Sequence, residues 1–293
     1  MQRRDFLKAT LATSAVLHSA ATLPAPAADA SAAPATRLQA VDTNVTLFHW
    51  PFRRLPLDQT AALLAKMSEH GVAQAWAGSF EGILHRDLAS VNQRLADECR
   101  PTSGRLLPFG SVNPALPGWE DDVRRCHETH EMPGIRLHPN YHGYTLADPR
   151  FKRLLDLATT RGLLVQIAVQ LEDFRTHHPM FQVADVDAAP LPELLAANPK
   201  ARVLLLNSGK VLESALGAKL AASPGVSFDI ARVEAAGSVG RHLRRLPPGR
   251  LVFGTHAPLF IYEAAVIKLY ESALTDAETR ALLEENPRRL LRG

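Results

Sequence analysis

The segment GIRLHPNYHGY, residues 134–144, combines the pattern of a buried strand with the composition of a functional loop. Its first four residues predict a short buried strand, and His138 stands where that strand ends. Pro139 ends the strand because it has no backbone N–H to donate. Residues 140–144 predict a polar, aromatic loop with a flexible glycine. In a parallel barrel this strand end would lie at the mouth, where barrel enzymes place their active sites. A strand followed by an ordinary surface loop is the alternative.

Outward from this segment, strand-like and helix-like stretches alternate along the chain. The predicted strands are residues 38–45, 72–77, 105–112, 134–138, 163–169, 201–206, 226–230 and 250–254. Helical patterns mark residues 58–70, 86–99, 118–130, 148–161, 191–198, 211–222, 239–245, 261–272 and 276–291. Eight apolar strands, each followed by a helix, predict a single-domain α/β fold, the (β/α)8 TIM barrel. An open doubly wound sheet is the alternative, but no glycine-rich phosphate-binding loop follows a strand.

The N-terminus has the composition of an export signal. Residues 3–8 read RRDFLK, an Ala-rich apolar run covers residues 9–23, and Ala25-Pro26-Ala27 offers a cleavage site of small residues. This pattern predicts a twin-arginine signal peptide and flexible leader over residues 1–36, and a barrel over residues 37–293. We expect export through the twin-arginine pathway to the periplasm. We expect no stable membrane span after cleavage, because the apolar run is short and only weakly apolar.

Composition limits the partners of the chain. The 293 residues are 46% apolar, which suits one barrel-sized core, and the net charge is +3. Basic residues are scattered, so we expect no nucleic-acid partner. Cys99 and Cys126 both lie in helical patterns and form no disulfide framework. Free thiols are favoured for both, while a disulfide between them stays open.

Polar side chains stand where several predicted strands run into their loops. The strand-end residues are Asn44 and Thr46 of strand 1, His138 of strand 4, Ala168 and Gln170 of strand 5, Asn207 of strand 6, Asp229 of strand 7 and His256 of strand 8. Each polar member alone is explained by a satisfied hydrogen bond at a strand end. Because buried polar groups need partners or a ligand, their convergence predicts a site for a small-molecule substrate.

Five stretches carry a resemblance to a known family. They are VDTNV (residues 41–45), WPFRRLP (50–56), GIRLHPNYHGY (134–144), FGTHAP (253–258) and NPRRLL (286–291). In their order and spacing they resemble the amidohydrolase-related family of metal-dependent hydrolases, over nearly all of residues 40–292. The resemblance implies a TIM barrel that hydrolyses or decarboxylates a small, carboxylated molecule. It also implies a divalent metal ion, zinc, at the mouth.

The chain departs from the metal-ligand pattern that this resemblance implies. Asn44 and Thr46 stand where the family has a His-x-His pair, and Ala168 stands where it has a histidine. Asn207 replaces a common histidine after strand 6, and His256 replaces the usual aspartate after strand 8. Asparagine and threonine are weak ligands for zinc, so we do not expect a zinc site of the family type.

Two kinds of site stay open at the mouth. In the first, His138 and His256 share a metal ion, with His142 and with Asp229 or Glu234 nearby, and Asp42 and Asn44 add oxygens for a harder cation. In the second, there is no metal. His256 is then the general base, because an unperturbed imidazole titrates near neutral pH.

Without a metal, polar residues would handle the substrate directly. His138 and Arg136 would hold an anionic substrate or oxyanion, and Asn207 would orient it. Alternation along the strand could instead aim Arg136 at the outer helices, in a structural ion pair. The predicted catalytic residues are His256, His138 and Asn207, and the predicted substrate-binding residues are Arg136, His142, Asn44 and Asp229.

The sequence as a whole predicts an exported amidohydrolase-like hydrolase with an atypical site at the carboxyl-terminal mouth of the barrel, and a metal-free form of that site is one of the two that stay open. A catalytically inactive barrel that binds a small molecule in the periplasm is the alternative. Residues 50–54, WPFRR, follow strand 1 and predict a lid, a subunit contact or a packed loop. A homodimer formed through this loop or through the C-terminal helices is open.

Overall fold

Eight parallel strands in sequential order form the centre of the molecule, in a computed structural model that describes residues 39–292. The strands are β1 (Ala40–Leu47), β2 (Val72–Ser79), β3 (Leu106–Ser111), β4 (Gly134–Leu137), β5 (Leu164–Ala168), β6 (Val203–Leu206), β7 (Val226–Asp229) and β8 (Leu251–Val252). The predicted signal peptide and leader, residues 1–36, lie outside the described residues.

The sheet curls until its first strand meets the segment that follows its last. The backbone N–H groups of Thr43 and Thr46 donate to the carbonyls of Phe253 and Ala257, both at 2.9 Å. An isolated parallel bridge joins Val45 to Ala257. These contacts join the two edges of the sheet, so the prediction of a (β/α)8 barrel is confirmed and the open-sheet alternative is wrong.

Helices connect successive strands. They are α1 (Thr60–Glu69), α2 (Glu81–Leu84), α3 (Leu88–Cys99), α4 (Trp119–Glu128), α5 (Pro139–His142), α6 (Pro149–Thr160), α7 (Leu191–Ala197), α8 (Gly209–Leu212), α9 (Ala215–Ala222), α10 (Ser238–Arg245), α11 (Tyr262–Glu271), α12 (Asp276–Arg280) and α13 (Asn286–Arg292). A π-helical turn, Ala281–Glu285, interrupts the last predicted helix. The single turns α2, α5 and α8 are not among the predicted helices.

Helix α5 replaces the loop predicted after β4. Pro139 occupies its first position, where the missing N–H costs nothing, and Gly143 ends it with φ 70°. Strand β1 also runs two residues beyond its predicted end. Asn44 and Thr46 therefore lie within the last part of the strand rather than at its boundary.

Residues of alternating parity along the strands belong to different apolar clusters. Ile135 and Leu137 of β4 belong to the large cluster that also contains helix residues such as Leu63 and Phe151, so they face the helices. A smaller cluster fills the barrel and contains Val41, Trp76, Phe109, Leu164, Leu204, Leu206 and Val252. Arg136 lies between Ile135 and Leu137 and therefore faces the interior of the barrel.

A third apolar cluster lies beyond the carboxyl ends of the strands. Its buried members are Trp50, Leu55, Phe80, Ile83 and Leu171, and Phe52, Tyr141 and Leu259 pack against them. The rings of Trp50 and Phe80 are 5.3 Å apart. We call this cluster the mouth cover. Because Trp50 and Phe52 belong to it, the structure places the WPFRR loop as a packed cover over the strand ends.

Two simpler observations complete the fold. Cys99 and Cys126 are buried, and both are free thiols. Burial raises the pKa of each thiol to about 12. Within residues 39–292, no helix combines the length and the apolar character needed to cross a membrane.

Candidate active site at the mouth of the barrel

Arg136 lies inside the barrel, where its guanidinium is held by the protein itself. Nη1 donates to the carbonyl of Val45 at 2.7 Å and to Oγ1 of Thr46 at 3.2 Å. Nη2 donates to the carbonyl of Trp76 at 3.0 Å, and Nε donates to Oε1 of Gln166 at 2.7 Å. The predicted alternative of an ion pair with the outer helices is wrong, because neighbours of opposite parity face those helices. Binding a substrate through Arg136 would require breaking these internal bonds.

The space for Arg136 comes from a glycine on the neighbouring strand. A Cβ at Gly78 would lie 2.7 Å from Nη1 of Arg136, closer than real Cβ contacts allow. Burial lowers the pKa of Arg136 to about 10, so the group remains a cation at neutral pH. Its charge therefore contributes to the potential of the whole mouth.

Three of the predicted site residues form one hydrogen-bonded unit. Nδ2 of Asn44 donates to Oδ1 of Asn207 at 2.9 Å and to Oδ2 of Asp229 at 2.6 Å. The backbone N–H of Asn207 donates to Oδ1 of Asp229 at 2.8 Å. Burial raises the pKa of Asp229 to about 6, and the bonds from Asn207 and Asn44 oppose that rise. A Cβ at Gly254 would lie 3.0 Å from Cβ of Asp229, so the glycine permits this close packing.

Two of the site residues have a left-handed backbone. Asn207 has φ 55° and His256 has φ 60°. Leu206 already faces the barrel interior, so simple alternation would turn Asn207 toward the helices. The left-handed conformation redirects its side chain into the mouth. Asparagine and histidine are among the residues that adopt this conformation most readily, and such backbones concentrate at functional sites.

His256 is buried and both of its ring nitrogens have partners. Nδ2 of Asn207 lies 3.3 Å from Nδ1 and 3.4 Å from Nε2, and Nε2 lies 2.6 Å from the carbonyl of Leu171. Oδ1 of Asn207 accepts from Asn44, so its amide N–H donates to Nδ1 and the ring proton resides on Nε2. Nε2–H then donates to Leu171.

The pKa of His256 contradicts the basis of its predicted role. Burial lowers this pKa to about 3, although the hydrogen bond with Leu171 raises it in part. The ring is therefore neutral near pH 7 and a weak proton acceptor. The expectation of an unperturbed imidazole is wrong, because burial disfavours the charged form, and the general-base role that was argued from it loses that support.

His138 lies at the end of β4 and is buried, with 2% of its surface exposed. Its Nδ1 has no hydrogen-bond partner among residues 39–292. Burial lowers its pKa well below the usual value. The ring of His142 meets that of His138 edge-on, with centroids 6.1 Å apart. Nε2 of His142 donates to the carbonyl of Gly82 at 2.9 Å, which ties this side chain to α2. His138 is thus a neutral imidazole with a free nitrogen.

Asp42 also belongs to the site. The sequence analysis considered it only as an oxygen ligand for a cation. Its carboxylate accepts from the backbone N–H of Thr255 at 3.0 Å, from Oγ1 of Thr255 at 2.6 Å and from the N–H of Asn44 at 3.1 Å. Burial raises its pKa to about 6. Asp42 therefore fixes β1 to the segment that carries His256. The signal in the sequence is an aspartate that follows Ala40 and Val41 inside a buried strand.

The donor atoms at the mouth do not fit the family's metal ion. Both carboxylates and both nitrogens of His256 are occupied by internal hydrogen bonds. Across the described part of the chain, one group of three potential ligands has its atoms within 4.8 Å of one another, namely Glu69, His70 and Glu263. It contains none of the mouth residues. Nζ of Lys66 lies 2.8 Å from both of its carboxylates, so a cation already pairs with each of them.

A cleft of about 450 Å³ opens beside the mouth. It is lined by residues from the segments after β5, β6 and β7, namely Gln170, Asp173, Phe174, Arg175, Gly209, Lys210, Glu213, Arg232 and Glu234. Gln170 precedes Leu171, whose carbonyl contacts His256. The cleft therefore borders the segment whose carbonyl contacts the histidine.

Comparisons with known proteins agree with this architecture. Residues 36–293 match the model of a family described as amidohydrolase. The crystal structure of 5-carboxyvanillate decarboxylase LigW from Sphingomonas paucimobilis aligns with a TM-score of 0.71 and 13% identity, covering 87% of this chain and 99% of that chain. A putative amidohydrolase from Staphylococcus aureus aligns with a TM-score of 0.67 and 11% identity, covering 87% and 100%.

A third similar structure is 2,6-dihydroxybenzoate decarboxylase from Rhizobium, with a TM-score of 0.65 and 14% identity over 86% of this chain and 99% of that chain. No curated protein sequence matches. At these identities the structural likeness shows the fold alone.

Proposed function

Because the chain belongs to the amidohydrolase family, we propose that it is an enzyme that hydrolyses or decarboxylates a small carboxylated molecule at the mouth of its barrel. The observation that carries the proposal is the buried hydrogen-bonded chain that runs from Asp229 through Asn44 and Asn207 to His256. It fixes one proton, on Nε2 of a neutral imidazole, in a site shielded from water.

The chain of hydrogen bonds gives each residue a role. Asp229 holds Asn44, and Asn44 sets the orientation of the Asn207 amide. Asn207 then donates to Nδ1 of His256, which keeps Nε2–H available as a donor. In the proposed mechanism the segment containing Leu171 moves, and Nε2–H donates to the substrate oxygen on which negative charge develops. A neutral imidazole held in a dry site is an effective donor to an oxyanion.

His138 supplies the complementary group. Its unpartnered Nδ1 accepts a hydrogen bond from the substrate or from an attacking water molecule. A neutral ring suits this task, because a protonated ring would have no free lone pair. We propose no step through a metal ion, since the ligand positions of the family are occupied here by Asn44, Thr46 and Ala168.

Turnover tests this proposal. The purified protein is incubated with small aromatic carboxylates, lactones and esters, with and without a chelator, after its metal content has been measured. We expect turnover that the chelator leaves unchanged and that His256→Ala and His138→Ala each lower by about 100-fold or more. His127→Ala, at an exposed position of α4, serves as the control. Activity abolished by the chelator would contradict the metal-free site.

A catalytically inactive barrel that binds a small molecule is the second candidate. It is favoured by the internal bonds of His256, because a histidine with two satisfied nitrogens and a pKa of about 3 also fits a structural role. This candidate predicts no turnover of any compound in the panel. It also predicts ligand binding that depends on the mouth residues. Binding that survives both histidine variants would contradict a mouth site altogether.

Export and self-association are separate proposals that rest on the sequence. Residues 1–36 support twin-arginine export to the periplasm, and replacing Arg3 and Arg4 together by lysine is expected to retain the protein inside the cell. Cell fractionation measures this outcome. A homodimer through the loop after β1 or the C-terminal helices is tested by sedimentation equilibrium over a range of concentrations.

A further inference from the structure

Arg232 follows β7 and lines the cleft beside the mouth. Its guanidinium carbon lies 4.8 Å from the centre of the Phe260 ring. Phe260 in turn meets His256 edge-on, with ring centroids 5.0 Å apart. The cation therefore stands one aromatic ring away from the imidazole of the proposed active site. Sequence reasoning missed this residue, because it lies in a loop without a recognisable motif.

The guanidinium of Arg232 is partly buried without hydrogen bonds. Nε and Nη2 are shielded from solvent, and neither has a partner among residues 39–292. Burial lowers the pKa of Arg232, yet an arginine stays charged in proteins. Arg136 is also buried, but its donors meet four acceptors. A buried donor left unpaired costs free energy that a bound ligand recovers.

The neighbouring acids do not neutralise Arg232. Asp173 pairs with Arg175 at 2.8 Å, and Asp185 pairs with Lys210 at 3.0 Å. Glu234 favours the charge of Arg232 from a distance and forms no ion pair with it within the described residues. The other cations that line the cleft thus have direct ion-pair partners, while Arg232 has none within the described residues and is favoured by Asp173, Glu234, Asp185 and Asp229 only from a distance.

We propose that Arg232 binds the carboxylate of a small molecule in this cleft. Nε and Nη2 form one edge of the planar guanidinium, and once the side chain turns so that this shielded edge faces the cleft, the edge matches the two oxygens of a carboxylate in a side-on, bidentate contact. The volume of about 450 Å³ suits a small ligand. Three acids in the lining, Asp173, Glu213 and Glu234, disfavour a doubly charged phosphate more than a singly charged carboxylate.

This inference deepens the proposed function. It rests on that function only where it calls the bound carboxylate a substrate. A carboxylate held at Arg232 would direct the rest of the molecule past Gln170 toward the bond between Leu171 and His256. Binding is measured without turnover, so the two proposals fail separately. Benzoate binding that depends on Arg232 without turnover contradicts the enzyme and supports the subsite, whereas turnover without such binding overturns the subsite.

Calorimetric titration of the full chain with sodium benzoate tests the subsite. We expect saturable binding in the millimolar range that weakens at least tenfold in Arg232→Met. Arg232→Lys is expected to bind with intermediate affinity, because lysine keeps the positive charge and lacks the planar pair of N–H donors. Arg86→Met removes an exposed arginine outside the cleft and is expected to bind within twofold of wild type.

Several results would overturn the proposal. They are the absence of saturable binding to the wild-type chain, equal binding by Arg232→Met, and inorganic phosphate that binds through Arg232 more tightly than benzoate does. The last result would replace the carboxylate by a phosphate.

Thermal unfolding without ligand separates a binding role from a structural one. Arg232→Met loses no hydrogen bond, so we expect it to unfold at the same temperature as wild type or higher. Arg136→Met loses four and is expected to unfold at a lower temperature. Benzoate is expected to raise the unfolding temperature of wild type and not that of Arg232→Met. A loss of several degrees in Arg232→Met would show a structural role and overturn the proposal.

Discussion

Burial governs the chemistry of single residues at this site. Asp42 and Asp229 have raised pKa values and His256 has a lowered one, in each case because the charged form is poorly solvated. The sequence places these residues at strand ends, yet it does not show how dry those ends are. That is why the position of His256 was predictable and its protonation behaviour was not.

The stability of the protein is expected to depend on pH through His256. The folded pKa of about 3 lies below the unfolded value near 6.5. Between these values the unfolded chain binds a proton that the folded chain excludes, so stability falls as the pH falls through this window. From pH 7 to pH 5 the wild-type chain should lose about 2 kcal/mol more than His256→Gln.

Urea unfolding at the two pH values measures this difference. His127→Gln, which replaces an exposed histidine of α4, provides the control for removing a histidine side chain. Equal pH dependence in wild type and His256→Gln would contradict a buried neutral imidazole.

Arg136 and Gly78 are expected to be energetically coupled. Arg136→Met leaves buried carbonyl groups unpaired and should lower the free energy of unfolding by about 3 kcal/mol. Gly78→Ala should cost about 1–3 kcal/mol through overlap with the guanidinium. In the double variant the alanine no longer meets Nη1, so its cost should fall. Additive costs in the double-mutant cycle would show that the two residues do not share this space.

The orientation of Arg136 could not be read from the sequence. Both faces of a barrel strand are covered, so apolar residues mark neither face as the interior. Once the structure places Ile135 and Leu137 against the helices, the inward direction of Arg136 follows from alternation alone.

At the scale of elements, the sequence predicts long units better than single turns. All eight strands and the longer helices were identifiable from apolar runs, helical periodicity and caps such as Asp148. The turns α2, α5 and α8 contain four residues each, too few to show a helical period. The interruption of the last helix by a π-helical turn is likewise invisible to periodicity.

The ion pair between Arg53 and Glu172 is expected to hold the mouth cover closed. The side chain of Glu172 is 3% exposed, so Arg53→Gln leaves a buried carboxylate without its partner. Hydrogen exchange at the amide of Val186, which donates to the carbonyl of Val169, should then become faster. Arg54→Gln is the matched control, because Arg54 is 75% exposed and pairs within its own segment with Asp58. Equal exchange in both variants would exclude this role.

For the molecule as a whole, stability is expected to be independent of metal ions. Apolar side chains and the hydrogen-bonded side chain of Arg136 fill the barrel. The polar side chains at the mouth form hydrogen bonds with one another. A chelator should therefore leave the unfolding temperature within about 1 °C of its original value. The variant His70→Gln removes one potential ligand from the cluster of Glu69, His70 and Glu263. Added zinc should also leave the unfolding temperature of this variant unchanged. A chelator-induced fall of several degrees would contradict this expectation.

The order of the strands and longer helices of the barrel could be predicted, and the site only in outline. The fold class depends on the alternation of strands and helices, and the sequence pattern shows this alternation from residue 38 to residue 291. The site depends on which donor meets which acceptor, and that is set by contacts between distant segments, such as Asn44 with Asn207 or Leu171 with His256.

The carbonyl of Leu171 competes with any ligand for the Nε2–H donor of His256. Any molecule that reaches Nε2 of His256 must first displace a backbone oxygen that already occupies the donor at 2.6 Å. The apparent affinity for such a molecule is then its intrinsic affinity reduced by the fraction of chains in which that segment has withdrawn. In the proposed function, a ligand that displaces the Leu171 carbonyl through contacts of its own would bind more tightly, so selectivity would depend on this displacement as well as on shape.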